Sequence, residues 1–200
     1  MRQDIGDARE GKWFVRARPS RPPHTHQWLG TYGNAGNGDY RGELRRAGRA
    51  IISYATALSL PVGKVIVRLD GLYGNTAPLR DLLGLGLAVI GRCKEYSLLD
   101  LPQVQAVLSQ PPAKLTTNPE SGTSRALFDC PAVPLGASGL SVRLLIATHP
   151  ASATAASIGT TRDGVVYELF WTTLPQDAFL PGDVLDLYLH RGSFETVRGF

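Results

Sequence analysis

The sequence predicts an α/β fold, a mixed sheet with flanking helices, and three observations carry that expectation. Helical spacing runs from Tyr40 to about Leu60, with Leu44, Ala47, Ile51, Tyr54 (or Ala55) and Leu58 recurring on one side. The run KVIVRLDG (64–71) has the pattern of a buried strand. A short helix through PLRDLLGLG (78–86) and a second strand, LAVIGRC (87–93), complete a local β-α-β unit. Finally, VVYELFWTTL (165–174) reads as a strong strand and leads through LPQDAF into the helical pattern DVLDLYLHRGSFETV (183–197).

Taken in chain order, residues 1–11 are polar, show no periodicity and are expected to be disordered, so the domain is placed at 12–200. KWFVRAR (12–18) and HTHQWLGTY (24–32) read as strands separated by the turn PSRPP. GNAGNGD (33–39) reads as a loop whose Gly and Asn residues tolerate positive φ. The first half of the following helix carries Arg41, Arg45, Arg46 and Arg49, and Pro61 with Gly63 ends it. Residues 94–162 are rich in Pro, Ser, Thr and Gly around short apolar runs such as RALFDC (125–130) and VRLLIATH (142–149). That stretch reads as a mostly β insertion with long loops. Asp183 is the expected N-cap of the last helix.

The totals restrict the class. Two hundred residues suit one domain with a real core, and 43% apolar with 19% charged residues is ordinary globular composition. A formal charge of +4 suits an anionic partner. Two cysteines, Cys93 and Cys130, without a CxxC pair, exclude a disulfide framework and a cysteine zinc site and fit a reducing cytosol. No apolar run reaches the ~18 residues needed to span a bilayer, and MRQDIGDAREGKW lacks the apolar core of a secretion signal. The expected location is cytoplasmic.

The chemistry gathers at two places. Asp70 lies at the carboxyl end of a strand, where open α/β sheets put their functional groups. Tyr188, Arg191 and Glu195 fall at i, i+3 and i+7, within roughly 60° on one helix face. Each reads plainly when taken alone. Asp70 is then a turn residue before Gly71, and the helix carries a solvated Arg191–Glu195 pair, worth about 0.3–0.5 kcal/mol.

Read together and in order, Tyr188-x2-Arg191-x3-Glu195 resembles the Y-(2)-R-(3)-E motif of bacterial insertion-sequence transposases with a DDE catalytic triad. VIVRLDGLYGN is similar to the family's second-aspartate region, and YELFWTTLP to its run into the glutamate helix. The resemblance covers roughly residues 12–197. It implies an RNase H-like fold and DNA strand cleavage and transfer by two-metal phosphoryl transfer. Asp70 and Glu195 would hold Mg²⁺ or Mn²⁺, and Arg191 and Tyr188 would contact DNA phosphate. It further implies the ends of a mobile DNA element as partner, a homodimer, and a nucleoid-associated protein without a nucleotide cofactor.

Two departures shape that expectation. The family's motif continues, as Y-(2)-R-(3)-E-(6)-K, to a lysine that has no match after Glu195. Its first aspartate has none either: Asp4 and Asp7 lack an apolar strand context, and Asp39 comes too late in the order. The family's first strand occupies the centre of the sheet, so its loss would leave two apolar edges with unpaired backbone groups. These departures predict a fragment, truncated at both ends and without catalysis. Two other classes remain. One is a non-catalytic DNA-binding or oligomerisation remnant that interferes with full-length transposase. The other is an unrelated α/β domain, which predicts neither DNA nor metal binding. His24 and His26 alternate on one strand face with no third ligand nearby and read as structural or surface residues. The arginine row on the first helix fits a phosphate track or a solvated face equally.

Overall fold

A computed structural model of the chain describes residues 11–15, 27–32, 39–117, 122–152 and 158–189. The class is mixed α/β, as expected. The chain divides into two compact units that interleave in sequence. One comprises residues 1–67 with 77–88, and the other residues 68–76 with 89–200. No described helix is long and apolar enough to cross a membrane.

In the first unit, β1 (Gly11–Val15) and β2 (Gln27–Tyr32) pair antiparallel, with a bulge between Lys12 and Phe14. The helix α1 (Tyr40–Ala57) follows β2 and buries Leu44, Ala47, Gly48, Ile51 and Ala55, an i, i+3, i+4, i+7, i+11 stripe. Asp39 caps it, its Oδ1 accepting from the Gly42 amide at 2.8 Å. Residue 42 has to be glycine for this cap, since a Cβ there would run into the Asp39 carboxylate. Asp39→Ala should therefore cost about 1 kcal/mol of stability, read as a lower thermal midpoint; an unchanged midpoint would mean the cap contributes nothing.

The far end of α1 closes with paired bonds from Leu60 N to Ala55 O (2.8 Å) and Ser59 N to Thr56 O (3.0 Å). Ser59 takes the left-handed position at φ 55°, a place usually held by glycine. Gly48 lets α1 approach the turn after α2 (Thr76–Leu83), where a Cβ would meet Leu85 Cδ1 at 2.7 Å. Arg41 grips Asp81 with two hydrogen bonds of 3.0 Å, and Arg46 pairs with Asp39 at 3.9 Å. Half of the arginine row is thus held by carboxylates of the same chain, while Arg45 and Arg49 stay exposed.

The second unit is built on a seven-stranded sheet. Its first strand, β3 (Ile66–Leu69), and β4 (Ala88–Cys93) fall where the sequence puts them. Beyond β4, a 3₁₀ turn at Tyr96–Asp100 runs into the helix α3 (Pro102–Leu108), which the sequence pattern does not predict. Then come β5 (Lys114–Thr117), β6 (Ser124–Pro134), β7 (Ser141–Pro150), β8 (Thr160–Arg162) and β9 (Val165–Thr172). The strand order is β3-β4-β9-β7-β6-β5, with β8 also on β9. The strands of the 94–162 region therefore extend the same sheet, joined to β4 through β9.

The last described helix, α4 (Pro181–Leu189), starts two residues earlier than predicted. Pro181 suits a first helical turn, lacking an amide that would need a partner. Asp183 reaches back from inside that turn, its Oδ2 accepting from the Leu180 amide at 3.0 Å. Cys93 and Cys130 are free and buried. Burial pushes the Cys93 thiol up to about 12 and the Cys130 thiol up to about 11, so both stay protonated at neutral pH.

Candidate functional site

The carboxyl end of β3 is where the site assembles. Asp70 leaves the strand exposed, and its carbonyl accepts from the Tyr73 amide at 3.2 Å, closing a 3₁₀ turn at Gly71–Tyr73. That turn presses on the end of β4. Lys94 N donates to Gly74 O at 3.1 Å, and a Cβ on Gly74 would lie 2.8 Å from Arg92 O. Next to it, Glu95 Oε1 accepts from both the amide and the hydroxyl of Thr76, at 2.9 and 2.6 Å. The strand-end aspartate is thereby fixed against its neighbour strand by backbone contacts.

α4 crosses one face of the same sheet. Arg68, two residues before Asp70, donates from Nη1 to Leu187 O at 2.6 Å, which ties α4 to β3. Near the other end of the helix, Gly182 packs on Lys114 of β5, where a Cβ would meet Nζ at 3.0 Å. Between these anchors the Tyr188 ring packs on Phe170 with centroids 4.9 Å apart. Tyr188 is buried, and its ring faces the sheet.

Beside Tyr188 lies a buried charge cluster. Glu168 of β9 receives Arg92 Nη2 on one carboxylate oxygen (2.8 Å) and Arg125 Nε on the other (2.9 Å), with His149 Nε2 at 3.6 Å. The Arg92 guanidinium lies 5.3 Å from the Phe170 ring centroid and 5.9 Å from that of Tyr188. Its Nη1 is buried without a hydrogen-bond partner among the described residues, and the two ring faces supply the compensating attraction. A second buried pair, Arg143 with Asp129, is bidentate at 2.9 and 2.8 Å, and Arg143 also donates to Leu174 O at the exit of β9.

Of the site residues predicted from sequence, the structure describes Asp70, exposed at the end of β3, and Tyr188, buried on α4. Arg191 and Glu195 lie outside the described residues, as do Asp4, Asp7, His24 and His26. Among the described residues no group of three His, Cys, Asp or Glu side chains stands close enough to hold a metal ion. An exposed strand-end carboxylate such as Asp70 is a hard oxygen donor suited to Mg²⁺ or Mn²⁺ as one ligand of several.

Sequence reasoning missed Arg92, Lys94 and Glu168. For Arg92 and Glu168 the signal was present as charged residues inside the apolar strands AVIGRC and VVYELFW, since a charge in a buried strand requires a partner; Lys94, exposed just past β4, carried no such signal. No protein-family model matches the chain, and no curated protein matches it.

Proposed function

We propose that this chain is a DNA-binding protein of the transposase kind, organised on an RNase H-like plan around Asp70 and Glu195. The observation that carries this reading is the bond from Arg68 to Leu187 O. It ties the strand ending in Asp70 to the helix whose sequence runs on through Tyr188 to Arg191 and Glu195. Two acids far apart in sequence, of which Asp70 stands exposed at a strand end, suit a divalent cation. A cation held there would activate an attacking oxygen and stabilise a leaving one at a phosphodiester. Asp70 and Glu195 are its ligands in this reading. Arg191 and Tyr188 are the DNA contacts in this reading, Arg191 meeting backbone phosphate with its planar fork.

Two measurements test the reading, namely duplex binding across a salt series and Mn²⁺-dependent nicking of supercoiled plasmid, each with Asp70→Ala and Glu195→Ala alongside. The expected result is salt-sensitive binding without nicking, because the motif supplies two acids of three. Nicking lost in both variants would mean that a third acid completes a working site. A folded chain that neither binds nor nicks would overturn the proposal in favour of an unrelated α/β domain.

A further inference from the structure

We infer that Lys94 is a DNA-phosphate contact, set beside Asp70 by two glycines; this rests on the DNA reading above. Lys94 follows β4 directly, and its amide is pinned to Gly74 O at 3.1 Å. Its side chain then runs back along the turn after β3. A Cβ on Gly74 would lie 3.0 Å from Lys94 Cγ, and one on Gly71 would lie 2.8 Å from Cε and 3.4 Å from Nζ. The missing side chains at 71 and 74 thus make a track for the lysine stem. The track delivers the ammonium to the residue next to Asp70.

Neither glycine has a positive φ, so backbone conformation does not explain their presence. The space for Lys94 does so at Gly71, and the close approach of Arg92 O adds to it at Gly74. Lys94 is exposed, and among the described residues it makes no ion pair. A lysine placed beside the exposed strand-end carboxylate of Asp70 suits one ligand chemistry in the DNA reading, the non-bridging oxygen of a phosphodiester. An ammonium on a flexible stem meets such an oxygen as a point charge without fixing base sequence.

The test measures duplex affinity in EDTA from low to moderate salt, on two unrelated sequences, for the full chain and the variants Lys94→Gln and Gly71→Ala. Lys94→Gln should weaken binding equally on both sequences and make the log–log salt slope shallower by about 1. Gly71→Ala keeps the charge and moves it, because the far end of the lysine must shift. It should reproduce the loss in affinity with an unchanged thermal midpoint. If the unaltered chain binds and Lys94→Gln keeps its slope, the lysine role is wrong and the DNA reading stands. A weakened Lys94→Gln beside an unaffected Gly71→Ala overturns the glycine track. No binding by the unaltered chain removes both the role and the reading.

Discussion

Replacing Glu168 by alanine should lower the stability of the β3–β9 sheet by about 3–5 kcal/mol. Its side chain is 4% exposed, and it is the shared acceptor for Arg92 and Arg125, themselves 10% and 14% exposed. Removing the carboxylate leaves two guanidinium groups in a space that water hardly reaches, and that uncompensated charge accounts for most of the cost. Attraction within the intact cluster contributes less, since desolvation offsets it. Urea denaturation followed by tryptophan fluorescence measures the effect as a lower midpoint with an unchanged slope. A loss below about 1 kcal/mol would mean that the two arginines find water or other partners, in conflict with their burial. Glu168→Gln should fall between, keeping an acceptor and losing the charge.

Trp171→Ala should cost a similar amount, about 3–5 kcal/mol. Trp171 is fully buried on β9, opposite Gly91 of β4 on one side and Leu144 of β7 on the other. The indole fills the space that Gly91 leaves open. A Cβ at 91 would stand 2.5 Å from Nε1 and 3.2 Å from Leu69 Cβ. Alanine does not reach across that gap, so truncation opens a cavity that the facing glycine cannot fill. The indole N–H is buried with no acceptor among the described residues, which costs the native protein part of what the ring contributes. Trp171→Phe should therefore be far milder than alanine. Equal losses for Phe and Ala would show that the indole nitrogen, and not ring volume, matters at this position.

The parts of the fold legible in the sequence were those governed by periodicity. α1, β3, β4 and β9 carry unbroken apolar patterns of period 3.6 or continuous buried runs, and each falls within a few residues of its expected place. α3 was not legible because PQVQAVL is short and lies among prolines and serines. The start of α4 was misplaced because Asp183 has the chemistry of a cap whether it precedes the helix or reaches back from its first turn. Strand order was out of reach for another reason: pairing β4 with β9 is decided by side chains more than seventy residues apart. The same limit applies to the site. Asp70 was visible as an acid at a strand end, whereas Arg92 and Lys94 gain meaning only from the glycines and the ring that three other segments bring against them.

The strand order also bears on how the chain reaches its fold. β9 is the last of the described strands to be synthesised, yet it lies between β4 and β7. A nascent chain that has emerged as far as residue 160 already holds β4 and the β6–β7 pair, each with an apolar edge awaiting β9. During those seconds on the ribosome the sheet cannot close, and edges of that kind recruit strands from other chains. Folding of this unit is therefore late and non-local, the circumstance in which sheets form slowly. Chains interrupted before residue 172 should accumulate as aggregates, and chaperone supply during translation should govern the yield of soluble protein.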